Sequence, residues 1–309
     1  MIRTAIRQPW RRLLDVVKFT STKMTTLNFY TDMCPCGSGM LLKDCCLTRR
    51  HDTAPPGPIT GYANPRCYAR ALRDCNTKIS GEHFISNSIL GLYDGAGELT
   101  VEGFPWLNTG GQRRIQRAAL TANMLCTRHN SALSSLDSTA SRFFGFLIGK
   151  YKGTCENILL ITGKEIERWM LKTLCGIVAS GNVVHDSKRI RRWEPPLQWL
   201  DILFDVKQIP DGCGLHYIIG KYRYADKRID MNTVKNTTTG EIVALTFAVA
   251  GLPFLFAIEP PPPRQEPTPS GAELRFHPKV LQVRSGNELR ELHFGWPEGC
   301  FVVVELGEK

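Results

Sequence analysis

The sequence predicts an α+β protein made of unequal parts, with two cysteine-bearing units in the first half and a β-rich domain in the second. Three observations lead there. Seven of the eleven cysteines fall within the first 126 residues. The stretches 132–148 and 156–178 place apolar residues at helical spacing. From Leu197 onward, short runs rich in β-branched and aromatic residues alternate with turn sequences. A chain of 309 residues has room for two or three compact units, and 42% apolar with 22% charged residues is ordinary for a globular protein. That composition excludes a largely disordered chain, a collagen-like fibre and a coiled coil.

The formal net charge is +10, and it is unevenly spread. Residues 1–50 hold nine basic against three acidic side chains, residues 51–150 ten against seven, and residues 151–309 twenty against nineteen. A basic first half suits a polyanionic partner, nucleic acid before membrane, and DNA before RNA; a solubilising basic face fits the same numbers. The N-terminus is basic but has no uninterrupted apolar run of seven residues, so no secretory signal is expected and the chain reads as cytoplasmic. Cysteine clusters in such a chain read as metal ligands before disulfides. Residues 242–258 form the one long uncharged apolar stretch, at seventeen residues. It falls short of the roughly 20 that a spanning helix needs. Gly251-Leu252-Pro253 interrupts it, so two buried strands joined by a turn are expected and no membrane span.

Taken in order, residues 1–30 form a basic extension, weakly helical where Trp10, Leu13, Leu14 and Val17 share a face. Residues 31–50 hold the first cysteine cluster, and Ala54-Pro55-Pro56-Gly57-Pro58 reads as a linker. Residues 60–150 carry the second Cys/His set and end in the helix at 132–148; residues 151–195 read as a helical connector. In the β-rich domain, 196–309, strands are expected at 199–206, 216–224, 242–249, 254–258, 280–283 and 301–306. The proline tract 260–263 reads as an extended surface connection.

The first cluster reads Cys34-Pro35-Cys36-Gly37-Ser38-Gly39 and closes with Cys45-Cys46. Four thiols within thirteen residues meet the four-ligand requirement of structural zinc. A segment this short buries no core of its own, so metal binding would supply its folding energy. The spacing resembles the SEC-C motif, the zinc-binding tail named after the bacterial preprotein translocase ATPase. That resemblance implies a zinc site from Cys34, Cys36, Cys45 and Cys46, and a docking module for a protein or nucleic-acid partner. Met40, Leu41 and Leu42 stand where that family usually has a lysine-rich middle.

The second set is Cys67, Cys75, Cys126 and His129, a complete set of four zinc ligands. The last two form Cys-x-x-His at a helix start, where one turn brings both to the same side. Beside them stand Gly81-Glu82-His83 and Asn130. A histidine near neutral pKa suits proton abstraction from water. Glu82 and Asn130 are oxygen donors suited to a hard cation. Taken alone, His83 reads first as a packed or surface histidine. The acidic-His pair followed by Leu-Cys-x-x-His-Asn, with cysteines upstream, resembles the HNH endonuclease family over roughly residues 62–142. The resemblance implies a treble-clef, ββα-metal fold with His83 as general base, Asn123 as the middle asparagine, and Glu82 and Asn130 as ligands of Mg²⁺ or Mn²⁺. It also implies structural zinc on Cys67, Cys75, Cys126 and His129. In this chain the upstream cysteines are eight apart, and about forty residues separate His83 from Asn123.

Residues 100–117 carry Trp106, Arg113, Arg114 and Arg117, and 188–193 read Lys-Arg-Ile-Arg-Arg-Trp; both suit phosphate contacts or a solvated basic surface. His185, His216, His277 and His293 lack paired ligands, and Cys155, Cys175, Cys213 and Cys300 read as buried thiols. Two functions are thus expected: a metal-dependent HNH-type nuclease, or a non-catalytic zinc adaptor for nucleic acid or protein, with about two zinc ions in either case.

Overall fold

The computed structural model describes residues 23–28, 31–34, 39–41, 53–55, 57–93, 97–102, 104–107, 111–151, 157–185, 188–189, 193–219, 229–236, 238–249, 252–260, 273–285, 288–296 and 300–305. In chain order the elements begin with β1 (Lys23–Asn28), β2 (Ile79–His83), α1 (Asn87–Tyr93), β3 (Glu98–Glu102), β4 (Gln112–Gln116), β5 (Thr121–Cys126) and α2 (Thr127–Leu147). There follow β6 (Ile158–Thr162), α3 (Gly163–Ala179), β7 (Val184–His185), β8 (Lys188–Arg189) and α4 (Leu197–Leu203). The last are β9 (Gly214–Ile219), β10 (Ile229–Lys235), β11 (Ile242–Val249), β12 (Leu252–Ala257), β13 (Glu273–Phe276), β14 (Val280–Ser285), β15 (Glu288–Gly295) and β16 (Cys300–Glu305). Helix and sheet are mixed, in line with the α+β expectation.

Helices α2 and α3 lie at the centre. Leu133, Leu136, Ala140, Phe143, Phe144 and Leu147 recur at three- and four-residue steps on α2 and are buried. α3 is buried along nearly its whole length, although it carries Glu165, Glu167, Arg168 and Lys172. Buried charges persist only when matched, and each of these has a partner. Glu165 accepts from Thr139 Oγ1 at 2.9 Å; Glu167 accepts from the Leu215 amide at 2.7 Å and faces His277 at 3.0 Å. Arg168 donates twice to the Leu203 carbonyl, at 3.2 and 2.9 Å. Lys172 pairs with Glu82 at 2.8 Å and Asp137 at 2.7 Å. One helix therefore holds α2, α4, the C-terminal sheet and the β2 strand.

The larger sheet has the order β10-β11-β12-β9-β13, antiparallel throughout. Its Phe247 and Phe254 meet Phe143, Phe144 and Trp169 at ring separations of 4.9–5.6 Å. The apolar stretch 242–258 is the β11–β12 hairpin, as expected, and among the described residues no helix is long and apolar enough to cross a membrane. A second sheet runs β14-β15-β6, with β6 parallel to β15. β1 pairs antiparallel with β16, so the chain just before the first cysteine cluster is joined to the far end of the sequence.

Three expectations change here. The segment expected to be helical from 156 opens instead with β6, whose Ile158-Leu159-Leu160-Ile161 is a continuous apolar run. Such a run has no period that separates a buried strand from a buried helix. The strand expected at 199–206 is α4, where Trp199, Leu200, Ile202 and Leu203 are buried and the turn begins after Pro196. The linker read at 54–58 is tied down where described: Arg128 donates to the carbonyls of Gly57 and Pro58, and Thr53 just before it is buried and donates to the Leu203 carbonyl. The helical reading of residues 10–17, most of the proline tract 260–263, and Cys155 lie outside the described residues.

Gly163 opens α3 against the Trp296 ring, where an added Cβ would lie 2.3–2.5 Å from ring atoms. That ring cannot yield easily, since its Nε1 donates to the Pro278 carbonyl at 3.0 Å and His277 stacks on it at 3.8 Å. Gly163→Ala should therefore cost about 1–3 kcal/mol in urea denaturation, the usual range for overpacking; an unchanged midpoint would contradict this packing.

Candidate metal centre and adjoining cleft

The second cysteine set converges. The ligand atoms of Cys67, Cys75, Cys126 and His129 all lie within 4.8 Å of one another, and all four residues are buried. Local structure explains how an eight-residue spacing brings Cys67 and Cys75 together. A 3-10 turn at Arg70–Leu72, closed by Arg73 in the left-handed region (φ 53°), folds the intervening residues back. The Cys67 amide donates to the Asn64 carbonyl and the Cys75 amide to the Tyr62 carbonyl, which fixes both ends. Asn64 reaches across to the carbonyls of Asn76 and Thr77. Cys126 ends β5 in extended conformation and caps α2, and His129 lies in the first helical turn. Arg128, between them, pairs with Asp74 at 3.0 Å and locks the cysteine loop to the helix.

His129 Nδ1 stands 3.5, 3.7 and 3.2 Å from the sulfurs of Cys67, Cys75 and Cys126. A tetrahedral zinc with bonds of about 2.3 Å to sulfur and about 2.0 Å to nitrogen puts its ligands roughly 3.5–3.8 Å apart, so the donors fit that ion in kind and spacing. Their acidities say the same. Hydrogen bonds shared with Cys67 and Cys75 hold the Cys126 thiol far below its ordinary value, while the same sharing pushes Cys67 up. Burial opposes charge on His129, but the sulfurs of Cys126 and Cys75 outweigh it and raise the imidazole to about 9. The set therefore gathers negative charge on sulfur that a bound cation relieves. A Cys₃His cluster of this kind can bind a metal such as zinc.

Strands β2 and β5 pair beside this centre, with Ile79 opposite Cys126, Glu82 opposite Ala122 and His83 opposite Thr121, and a bulge between Ser80 and Glu82. Strand alternation sends Glu82 inward and His83 outward. Glu82 is buried, accepts a hydrogen bond from Asn130, and pairs with the fully buried Lys172 ammonium. Burial raises the Glu82 carboxyl, and Lys172 opposes that shift. Lys172 bridges onward to Asp137, which also accepts from the Ser86 hydroxyl; Ser86 in turn accepts from Trp169 Nε1 at 2.8 Å.

His83 faces the other way, into a cleft of about 270 Å³ lined also by Asn87, Gly97, Gln116, Arg117 and Ala118. Burial lowers its basicity, and a hydrogen bond with the Arg117 main chain opposes that. Among the described residues, His83 Nε2 has no hydrogen-bond partner. Asn123 is exposed on β5, with its side-chain oxygen 3.9 Å from where a Cβ on Gly81 would sit. The structure thus joins Glu82 to Asn130 and His83 to Arg117; neither Asn123 nor Asn130 lines the His83 cleft.

In the remaining basic segments, β3 and β4 form a hairpin in which Arg114 pairs with Glu98 at 2.8 Å and Trp106 stacks on Phe104 at 5.2 Å. Cys175 and Cys213 are buried thiols. His277 lies between the rings of Phe276 and Trp296. Sequence reading missed Lys172, Asp137 and Ser86. The signal available was a lysine at a core position of α3, one helical turn from Arg168.

The chain is a mixed α/β protein with a buried Cys₃His centre. The first cluster matches the SEC-C motif over residues 31–48. There, Cys34 is buried, its amide donates to the Met40 carbonyl at 2.8 Å, Met33 bridges Leu41, and Gly39 is left-handed (φ 72°). Cys36, Cys45 and Cys46 lie outside the described residues. No curated protein and no solved structure matches the chain.

Two outcomes follow from these geometries. Cys126→Ser should remove about one zinc ion per chain in elemental analysis, since three-ligand structural sites hold zinc poorly, while Cys175→Ser leaves zinc content unchanged. Lys172→Met strands two carboxylates and should cost about 3–5 kcal/mol in chemical denaturation at neutral pH; adding Glu82→Gln should restore part of that loss.

Proposed function

We propose that the chain hydrolyses phosphodiester bonds of nucleic acid, DNA in preference to RNA, through a zinc-organised ββα unit of the HNH, treble-clef type. The observation that carries this reading is His83: an imidazole at the end of β2 that lines a cleft beside Arg117, with a buried Nε2 that has no hydrogen-bond partner among the described residues and a basicity lowered by burial. Such a ring is neutral at pH 7 and suited to accept a proton. The order of parts also supports it, with a cysteine loop, two paired strands and a helix whose first turn supplies the last zinc ligand.

In this mechanism Arg117 binds the scissile phosphate and His83 Nε2 takes a proton from water. The resulting hydroxide attacks phosphorus, the bond to the leaving oxygen breaks, and that oxygen takes up a proton, from the imidazolium or from solvent. A zinc held by Cys67, Cys75, Cys126 and His129 would be structural: it would join the end of β5 and the start of α2 to the cysteine loop that precedes β2, the strand that bears His83. Glu82 and Asn130, as arranged, do not fit Mg²⁺ or Mn²⁺. Glu82 is already matched to the Lys172 ammonium at 2.8 Å and hydrogen-bonded to Asn130, so no step is routed through a divalent ion. The SEC-C motif serves as a docking module for a protein partner.

The second reading, a zinc adaptor that binds nucleic acid without cutting it, is favoured by that same Lys172 contact, because a carboxylate bound to an internal ammonium has a structural role. Nicking of supercoiled plasmid separates the two. The nuclease reading expects wild-type protein to nick DNA and His83→Ala to lower the rate at least about 100-fold, the usual worth of a general base. Because burial lowers the histidine's pKa, the rate should hold as pH falls to the ordinary histidine value near 6.5 and drop only below it. Full activity in His83→Ala overturns the mechanism; salt-sensitive binding without cleavage by wild-type protein selects the adaptor.

A further inference from the structure

The loop that supplies Cys67 and Cys75 turns its sulfurs inward and a set of cations outward. Residues 57–78 carry four cations, Arg66, Arg70, Arg73 and Lys78, against a single carboxylate, Asp74. Asp74 is buried and already matched, by Arg128 at 3.0 Å and by the Thr60 amide at 2.9 Å. Arg70 pairs with Glu194. Arg66, Arg73 and Lys78 are exposed, and among the described residues none of the three has an ion-pair partner.

The fold gathers these three cations. Arg66 immediately precedes Cys67, Arg73 stands two residues before Cys75 and Lys78 three after it, and the two sulfurs lie within 4.8 Å of each other. Residues 60–64 run beside 74–77, held by Thr60 to the Cys75 carbonyl, by the Cys75 amide to Tyr62, and by Asn64 to Asn76 and Thr77. Arg73 closes the 3-10 turn in the left-handed region (φ 53°), a conformation that glycine or asparagine takes more readily. Exposed Tyr62, beside Cys75, adds a hydroxyl of the kind that contacts phosphate. Positive charge concentrated on one face, with every nearby carboxylate of the loop consumed internally, is complementary to a polyanion.

We propose that the outer face of the cysteine loop grips the phosphate backbone of duplex DNA through Arg66, Arg73 and Lys78. The inference rests on the nucleic-acid reading above and deepens it: His83 acts on one phosphate, and the loop holds the duplex that contains it. Lys78 directly precedes β2 and His83 ends it, so at about 3.3 Å per residue the two stand roughly 17 Å apart along the strand. That is about half of the ~34 Å helical turn of B-DNA, and one duplex spans both. Contacts of this kind go to phosphates, so the grip is independent of base sequence.

The test is fluorescence anisotropy of a labelled duplex oligonucleotide, titrated with the full chain over a series of salt concentrations, with zinc content measured on the same samples. The triple substitution Arg66→Gln, Arg73→Asn and Lys78→Gln removes the charges, and asparagine suits the left-handed backbone at 73. It should weaken binding at least about tenfold and reduce the slope of log K against log salt by about 2.7, three contacts at about 0.9 each. Its zinc content should match wild type. Arg66→Lys with Arg73→Lys, which keeps the charge, should keep the wild-type slope. Lys207→Gln, at a cation already paired with Asp201, should change neither affinity nor slope. His83→Ala should bind as wild type. Wild-type affinity and slope in the triple variant overturn the inference even if nicking requires His83. Binding lost only together with zinc also overturns it, since the cations then serve the loop's fold. Binding lost with zinc retained upholds it even if no nicking is found. A wild-type chain that binds anionic phosphatidylserine vesicles and no duplex overturns both readings.

Discussion

Three thiols and an imidazole packed within 4.8 Å in a buried setting set the constraint on which the N-terminal half depends. Without a cation, the sulfurs compete for protons and His129 is driven towards charge; with one, all four donors face a single point. Everything that builds the candidate site is hung from that point. Cys126 ends β5, His129 opens α2, and the loop bearing Cys67 and Cys75 leads straight into β2. The strand pair that carries Glu82 and His83 on opposite faces is therefore joined at its Cys126 end to the Cys₃His cluster.

A second constraint acts through α3. A helix buried almost all round can keep four charged residues only by matching each one, and their partners are spread over several elements. Glu167 ties it to β9 and His277, Arg168 to the end of α4, and Lys172 to β2 and α2. Lys172 thereby ties Glu82 of β2 and Asp137 of α2 to one ammonium, which leaves His83 on the opposite face of β2.

The parts legible in the sequence are those whose chemistry is local or whose ligand types are rare. Cys67, Cys75, Cys126 and His129 announce a metal site by residue type alone, and the break at Gly251-Leu252-Pro253 turns 242–258 into a hairpin rather than a span. Residues 158–161 were not legible as a strand, because four apolar residues in a row carry no period and their partner, β15, lies more than a hundred residues away. α4 was misread because Trp199, Ile202 and Phe204 satisfy β-propensity, whereas burial of one face decided for a helix. The separation of Glu82 from His83 follows from strand alternation; Lys172 shows in the sequence as a charge at a core position of α3, but its partners Glu82 and Asp137 lie on other elements far along the chain.

A metal held by Cys67, Cys75, Cys126 and His129 would fix the strands and helix that present His83. Amide hydrogen exchange followed by mass spectrometry, before and after treatment with a chelator, tests this. Residues 79–83 and 121–130 should lose protection together on metal removal, while β11 and β12 keep theirs. Unchanged protection across 79–83 and 121–130 in demonstrably metal-free protein would contradict it.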